Sequence, residues 1–147
     1  MRRGRRSGCF TIVAVHSTAR GPALGGCRLW HYADSRAAVR DALRLSRAMT
    51  FKSAVAGLPL GGGKGVIMAP DPAVAGEREW RSDALLDFGD TVESLGGSYV
   101  TAEDVGTSSR DMETIALATG HVTGLSRRLG GSGDPSPWTA LVVQAGI

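Results

Sequence analysis

The chain has 147 residues, 42% of them apolar, which is enough for one ordinary domain with a core and too little for two. Its formal charge is +3, but much of the excess sits in Arg2, Arg3, Arg5 and Arg6, so the basic balance is weak evidence for a nucleic-acid partner. No stretch approaches the roughly 18 consecutive apolar residues of a membrane helix, which excludes that class of span.

Residues 1–8 hold four arginines and two glycines and read as a disordered basic segment. The apolar run at 9–15 is short, is interrupted by Thr11 and ends at His16, unlike the core of an export signal. Within it, residues 10–15 predict a strand. Residues 34–49 open with Asp34 and Ser35 as capping groups and set Ala38, Val39, Ala42, Leu43 and Ser46 along one face, which predicts an amphipathic helix. Short apolar runs at 55–60 and 65–68 flank Gly61-Gly62-Gly63 and predict a strand, a glycine turn carrying Lys64, and a second strand. Pro70 and Pro72 close that unit.

Residues 77–95 place Trp80, Ala84, Leu85, Phe88 and Val92 at helical spacing and stop at Gly96-Gly97. A brief strand at 98–102 ends at Glu103 and Asp104, and a helix capped by Ser108 or Ser109 runs through Asp111, Met112, Ile115 and Leu117. The run Gly131-Ser132-Gly133-Asp134-Pro135-Ser136-Pro137 is a loop, and an apolar helix begins at 138–147. Strands alternating with helices predict an α/β fold, a sheet flanked by helices.

Met49-Thr50-Phe51-Lys52 and Gly61-Gly62-Gly63-Lys64-Gly65 put two lysines in largely apolar surroundings. Burial makes an ammonium costly and lowers its pKa toward neutrality, a second lysine nearby lowers it further, and glycines let a backbone approach a small ligand. The alternative, that both lysines are surface charges at strand ends, stays open on pattern alone. A phosphate loop fails on spacing: its first glycine would fall at Leu58, and Gly65 stands where a Ser or Thr should bind magnesium. No G-x-G-x-x-G opens a helix, so a dinucleotide turn is also missing. Glu103 and Asp104, at a strand end, can exchange protons with an amine or simply cap the next helix. His16, His31 and His121 are scattered without metal-ligand spacing, so no metal is expected. Cys9 and Cys27 form no CxxC pair, and a reducing cytoplasm is the simplest setting.

Five segments then occur in order: Gly21-Pro22-Ala23-Leu24-Gly25-Gly26-Cys27-Arg28, Met49-Thr50-Phe51-Lys52, Gly61-Gly62-Gly63-Lys64, Thr101-Ala102-Glu103-Asp104-Val105-Gly106-Thr107, and the loop from Gly131 to Pro137. Together, from about Ile12 onward, they resemble the N-terminal, substrate and oligomerisation domain of the leucine, phenylalanine, valine and glutamate dehydrogenases. The Gly-Pro-Ala-Leu-Gly-Gly form is most similar to the leucine, valine and phenylalanine branch.

The resemblance implies that residues 9–137 are a substrate-binding and oligomerisation domain and that 138–147 start a helix leading to a Rossmann domain beyond the chain. It implies that Lys52 holds a substrate α-carboxylate, that Lys64 is the general acid/base, and that Asp104 shuttles a proton to and from the amino group. Gly25, Gly26, Leu24, Met49 and Ala102 correspond to residues around the substrate; Thr139, Ser136 and Arg28 correspond to residues reaching the cofactor, NAD. Family members usually begin with a further helix and strand, whereas here only arginine-rich residues precede the strand at 10–15. Leu141 and Val142 also stand where a small residue is common.

The implied function is NAD-dependent oxidative deamination of an apolar L-amino acid, with the chain inactive alone, in the cytoplasm, as a homo-oligomer with no nucleic-acid or membrane partner. The alternative is a non-catalytic amino-acid-binding or oligomerisation domain. A phosphate or nucleic-acid binder resting on Lys64 and the N-terminal arginines is disfavoured by the absent loop spacing.

Overall fold

The computed structural model describes residues 1–146; Ile147, the last residue of the helix expected at 138–147, lies outside the described residues. The strands are β1 (Arg2–Arg3), β2 (Phe10–Ser17), β3 (Ala23–His31), β4 (Gly61–Ala69) and β5 (Tyr99–Glu103). The helices are α1 (Ser35–Val55), α2 (Pro72–Gly76), α3 (Arg78–Glu93), α4 (Ser109–Ile115) and α5 (Ser136–Ala145), with a 3-10 turn at Arg127–Leu129. The strands form one mixed sheet in the order β1-β2-β4-β3-β5. β2 runs antiparallel to β4, whereas β3 runs parallel to both β4 and β5.

One face of the sheet packs on α1 and the other on α3 and α4. Ile12, Ala14, Val66, Ala38 and Ala42 form the core on the α1 side. Cys27, Ile67, Phe88, Tyr99, Met112 and Ile115, among others, form the larger core opposite. Each large apolar side chain so buried contributes on the order of 1.5–3 kcal/mol.

The glycine cluster corrects the expected turn. α1 continues past residue 49 to Val55, and Gly57, at φ +68, lets the chain leave it; there is no strand at 55–60. Gly61 through Val66 then lie buried in the middle of the central strand, covered on both faces. A Cβ on Gly62 would fall 2.1 Å from the Thr50 nitrogen, so the glycine is what lets α1 approach the sheet. On the other face, Cβ atoms on Gly63 and Gly65 would strike the rings of Tyr99 and Phe88 at 2.5 and 2.4 Å. At 62, 63 and 65, then, the missing side chains make room for neighbouring protein.

Two further expectations change. α1 packs through a stripe of small residues at every fourth position, Ala38, Ala42 and Ser46, while Leu43, one residue off that stripe, is 57% exposed. No strand is predicted at 23–31, where glycines and Arg28 dilute the apolar signal, yet β3 lies between β4 and β5. Strict strand–helix alternation therefore fails at the start, where three strands precede α1.

The basic segment at 1–8 is ordered. Arg2 and Arg3 pair with Thr11 and Phe10 at the sheet edge. The loop after them wraps the buried carboxylate of Asp87 on α3, which accepts from the backbone amides of Arg5, Arg6 and Ser7 and from the Ser7 hydroxyl at 2.7 Å. The anchor is one acidic side chain 80 residues away, which no local pattern announces.

Candidate active site

Along β3 and β4 successive side chains alternate between faces, and this alternation decides where the polar groups go. Lys64 shares the α1 face with Val66, while Gly63, Gly65 and Ile67 turn to the other. Leu24 pairs with Gly62 and Cys27 with Gly65, which sets Gly26 beside Lys64; Gly26 in turn pairs with Ala102. A Cβ on Gly26 would sit 2.7 Å from the Cβ of Asp104, so the bare glycine leaves the gap in which Lys64 and Asp104 meet.

Asp104 is fixed by the turn that follows β5. Its amide donates to the Thr107 hydroxyl at 3.0 Å, and that hydroxyl donates to the Cys27 carbonyl on β3 at 2.7 Å. Gly106, at φ +82, lies so close to the Leu29 carbonyl that no side chain fits. From α3, Arg81 donates to the Gly106 carbonyl at 2.7 Å and grips Asp111 through two nitrogens. The segment Asp104-Val105-Gly106-Thr107 thereby serves to hold one carboxylate over the sheet.

Lys64 Nζ lies 2.7 Å from Asp104 Oδ2, and the lysine side chain is 5% exposed. Burial holds the Lys64 ammonium below the ordinary lysine value despite the attraction of Asp104, and the charge of Arg28 lowers it further. Burial works to raise Asp104, but Lys64 and Arg28 outweigh it and hold the carboxyl below the usual carboxylate range. The pair thus sets an ammonium that burial disfavours against a carboxylate held ionised, an arrangement suited to release of a proton from Lys64.

These groups open on a cleft of about 370 Å³ whose walls include Leu24, Gly25, Gly26, Met49, Lys52, Lys64, Ala102 and Asp104. Larger grooves lie elsewhere on the surface, but this is where a buried lysine, a carboxylate and apolar walls converge. Lys52, in the last turn of α1, is exposed, unlike Lys64; the cation whose charge lowers Lys64 is Arg28. Glu103 also borders the cleft. Burial raises its carboxyl, its Oε2 accepts from Ser109 at 3.1 Å, and its Oε1 is buried without a partner.

Of the three residues expected at the cofactor, Arg28 is tied to Asp104 and Asp41. Ser136 and Thr139 sit exposed on the first turn of α5, and the Thr139 hydroxyl turns back to the Pro135 carbonyl. Among the described residues no group of His, Cys, Asp and Glu could hold a metal. Among the described residues no helix is long and apolar enough to cross a membrane. Asp41 and Tyr32, which bear on the site through Arg28, gave no signal in the sequence because only the packing of α1 on β3 brings them there.

One face of the mixed sheet thus carries a buried lysine–carboxylate pair beside a glycine-lined cleft. The pattern of the Glu/Leu/Phe/Val dehydrogenase dimerisation domain matches residues 1–121, and the chain belongs to that family. It is 49% identical over 142 residues to leucine dehydrogenase of Bacillus subtilis (strain 168), a match covering 97% of this chain and 38% of that protein. It is 49% identical over 143 residues to valine dehydrogenase of Streptomyces virginiae, again 97% and 38%. The chain thus spans about 38% of the length of these curated relatives. Among solved structures it resembles L-tryptophan dehydrogenase from Nostoc punctiforme, with TM-score 0.74 and 39% identity over 82% of this chain and 34% of that one. It also resembles a hetero-hexameric glutamate dehydrogenase from Thermus thermophilus in a Leu-bound form, with TM-score 0.71 and 29% identity over 86% and 32%. The loop from Gly131 to Pro137 lies beyond the matched family domain.

Proposed function

We propose that this chain supplies the substrate-binding and proton-transfer groups for NAD-dependent oxidative deamination of an apolar L-amino acid to its 2-oxo acid and ammonia. The observation that carries the reading is the 2.7 Å contact between the buried Lys64 ammonium and Asp104 in a cleft also lined by Lys52. Lys52, exposed and long, takes the substrate α-carboxylate at the cleft mouth. Leu24, Met49 and Ala102 cover the apolar side chain, with Gly25 and Gly26 as floor.

Asp104 Oδ2 is engaged by Lys64 and Arg28, while Oδ1 has no hydrogen-bond partner among the described residues and is the oxygen available to the substrate amino group. Neutral Lys64 takes a proton from water as the water oxygen adds to the iminium carbon. Protonated Lys64 then passes that proton to the nitrogen by way of Asp104, and neutral Lys64 takes the hydroxyl proton as the carbonyl forms and ammonia leaves. Arg28, Ser136 and Thr139 are too few to hold a dinucleotide by themselves, so these 147 residues alone are expected to bind substrate without reducing NAD. Two buried free thiols suit a reducing cytoplasm, and the family name supports oligomerisation.

Calorimetric titration of the chain with leucine, valine, phenylalanine and their 2-oxo acids tests this reading, with Lys52→Ala as control. Saturable binding that Lys52→Ala weakens at least tenfold is the expected result. Equal behaviour of the two proteins, or no binding by either, would sink the substrate-pocket assignment. Ordinary rates of NADH formation by the chain alone would overturn the claim that it cannot turn over by itself.

A further inference from the structure

The least expected member of the site is Arg28. Its guanidinium is held at two points: Nε donates to Asp104 Oδ2 at 2.9 Å and Nη1 donates to Asp41 Oδ2 at 2.8 Å. Asp41 stands on α1 and is itself fixed, receiving the Tyr32 hydroxyl on Oδ2 at 2.8 Å and Arg44 on Oδ1 at 2.8 Å. An unbroken chain of charge-assisted contacts therefore runs Tyr32/Arg44–Asp41–Arg28–Asp104–Lys64, joining α1, β3, the turn after β5, and β4.

We propose that Arg28 and Asp41 are positioning residues: strapped between two carboxylates, Arg28 holds Asp104 Oδ2 against Lys64 and thereby sets how readily Lys64 gives up its proton. The inference rests on the function proposed above for the use made of that proton. Three geometric facts support it. Arg28 and Lys64 meet the same carboxylate oxygen, so each weakens the other's hold on it. The planar guanidinium spans two acceptors at fixed angles, which an ammonium cannot do. All the side chains of the strap are less than a quarter exposed between Arg28 and Asp41, so their charges act with little screening.

The charges work in opposite senses. Arg28 disfavours a second cation at Lys64, and Asp41 moderates Arg28. The other titratable groups near the pair are the Cys27 thiol and the Tyr99 hydroxyl, which burial keeps protonated, and Lys52 and Glu103, which line the same cleft. Behind Cys27 lie Asp111 and Arg81, which neutralise each other. None of these completes a second bridge to Asp104.

The chain contains only two lysines, Lys52 and Lys64, so their side-chain nitrogens can be titrated individually by NMR in lysine-labelled full chain, with Lys52→Arg to assign the signals. Lys64 should titrate below the ordinary lysine value. Arg28→Gln should raise the Lys64 midpoint by about one pH unit, and Asp41→Asn should lower it by up to about one, with Lys52 unmoved in both. Asp41→Glu, which keeps the charge, should stay near wild type. If Arg28→Gln fails to fold, the Asn/Glu comparison at position 41 decides alone. A Lys64 midpoint that is the same in all variants, or that moves in one direction for both charge removals, overturns the proposal. The calorimetry above is a separate readout. Absence of amino-acid binding with Lys64 shifting as described would refute the function and leave the strap standing, whereas binding with an immobile Lys64 midpoint would refute the strap alone.

Discussion

The Tyr99 hydroxyl donates to the Gly25 carbonyl at 2.6 Å, so a residue buried in the α3-side core fixes the backbone that floors the cleft. The same oxygen lies 3.3 Å from the Thr101 hydroxyl. Tyr99→Phe keeps the ring under Gly63 but leaves the carbonyl without its donor. A loss of about 1–3 kcal/mol in chemical denaturation is expected, together with weaker 2-oxo acid binding. Unchanged stability and affinity would show that the hydrogen bond is idle.

Removing either half of the Lys64–Asp104 pair should cost unequally. Asp104→Asn strands a buried ammonium and is expected to destabilise the fold by an amount toward the lower end of about 3–5 kcal/mol, since Asp104 is itself 25% exposed. Lys64→Met fills the same space without charge and leaves Asp104 paired with Arg28, so its cost should be smaller. Urea midpoints of the two variants, measured side by side, check the order; Lys64→Met being the less stable protein would contradict it.

The glycines divide into those the packing needs and those it does not. Gly65→Ala must push its methyl into Phe88 Cζ at 2.4 Å, and Gly63→Ala into Tyr99 Cδ2 at 2.5 Å; overpacking of about 1–3 kcal/mol or more is expected for each. Gly76→Ala meets nothing within 4 Å at the end of α2 and should be neutral or slightly stabilising. Thermal melts of the three variants test the contrast.

The loop around Asp87 should respond to acid. Burial favours the neutral acid there, but hydrogen bonds from Ser7 and Arg6 outweigh it and hold the folded carboxyl below the ordinary range. A folded value below the unfolded one, about 3.9, gives stability that is complete above that pH and is lost as pH falls through the folded value. The amide resonances of Arg5, Arg6 and Ser7 should therefore hold steady down to about pH 4 and move together below it. In Asp87→Asn that acid transition should disappear. Its persistence in the variant would assign it to another group.

Where apolar spacing was strong, the elements were legible: α3, β5 and the Ser108-capped α4 fall near their expected places. β4 was legible only over its apolar end at 65–68, because Gly61, Gly62 and Gly63 carry no side chains to show their burial, and β3 was missed because Gly25, Gly26 and Arg28 break up its apolar residues. Gly62, Gly63 and Gly65 look like a turn in sequence, and only the positions of Thr50, Tyr99 and Phe88 explain them. Among candidate site residues, Lys52, Lys64, Asp104, Leu24, Gly25, Gly26, Met49 and Ala102 line one cleft. Their order was supplied by resemblance; spacing alone left the lysines ambiguous. Asp41, Tyr32 and Arg81 were invisible because their partners are brought to them by tertiary packing.

α1 carries Asp41 near its start and Lys52 near its end with no break between them. Eleven residues at 1.5 Å each make a rigid rod of about 16 Å joining the two. On the function and the strap proposed above, a tilt or slide of that rod would move the carboxylate grip and the electrostatic tuning of the proton pair in a single motion. Substrate anchored at one end would then be felt mechanically at the other, and moving the helix would not adjust the two independently.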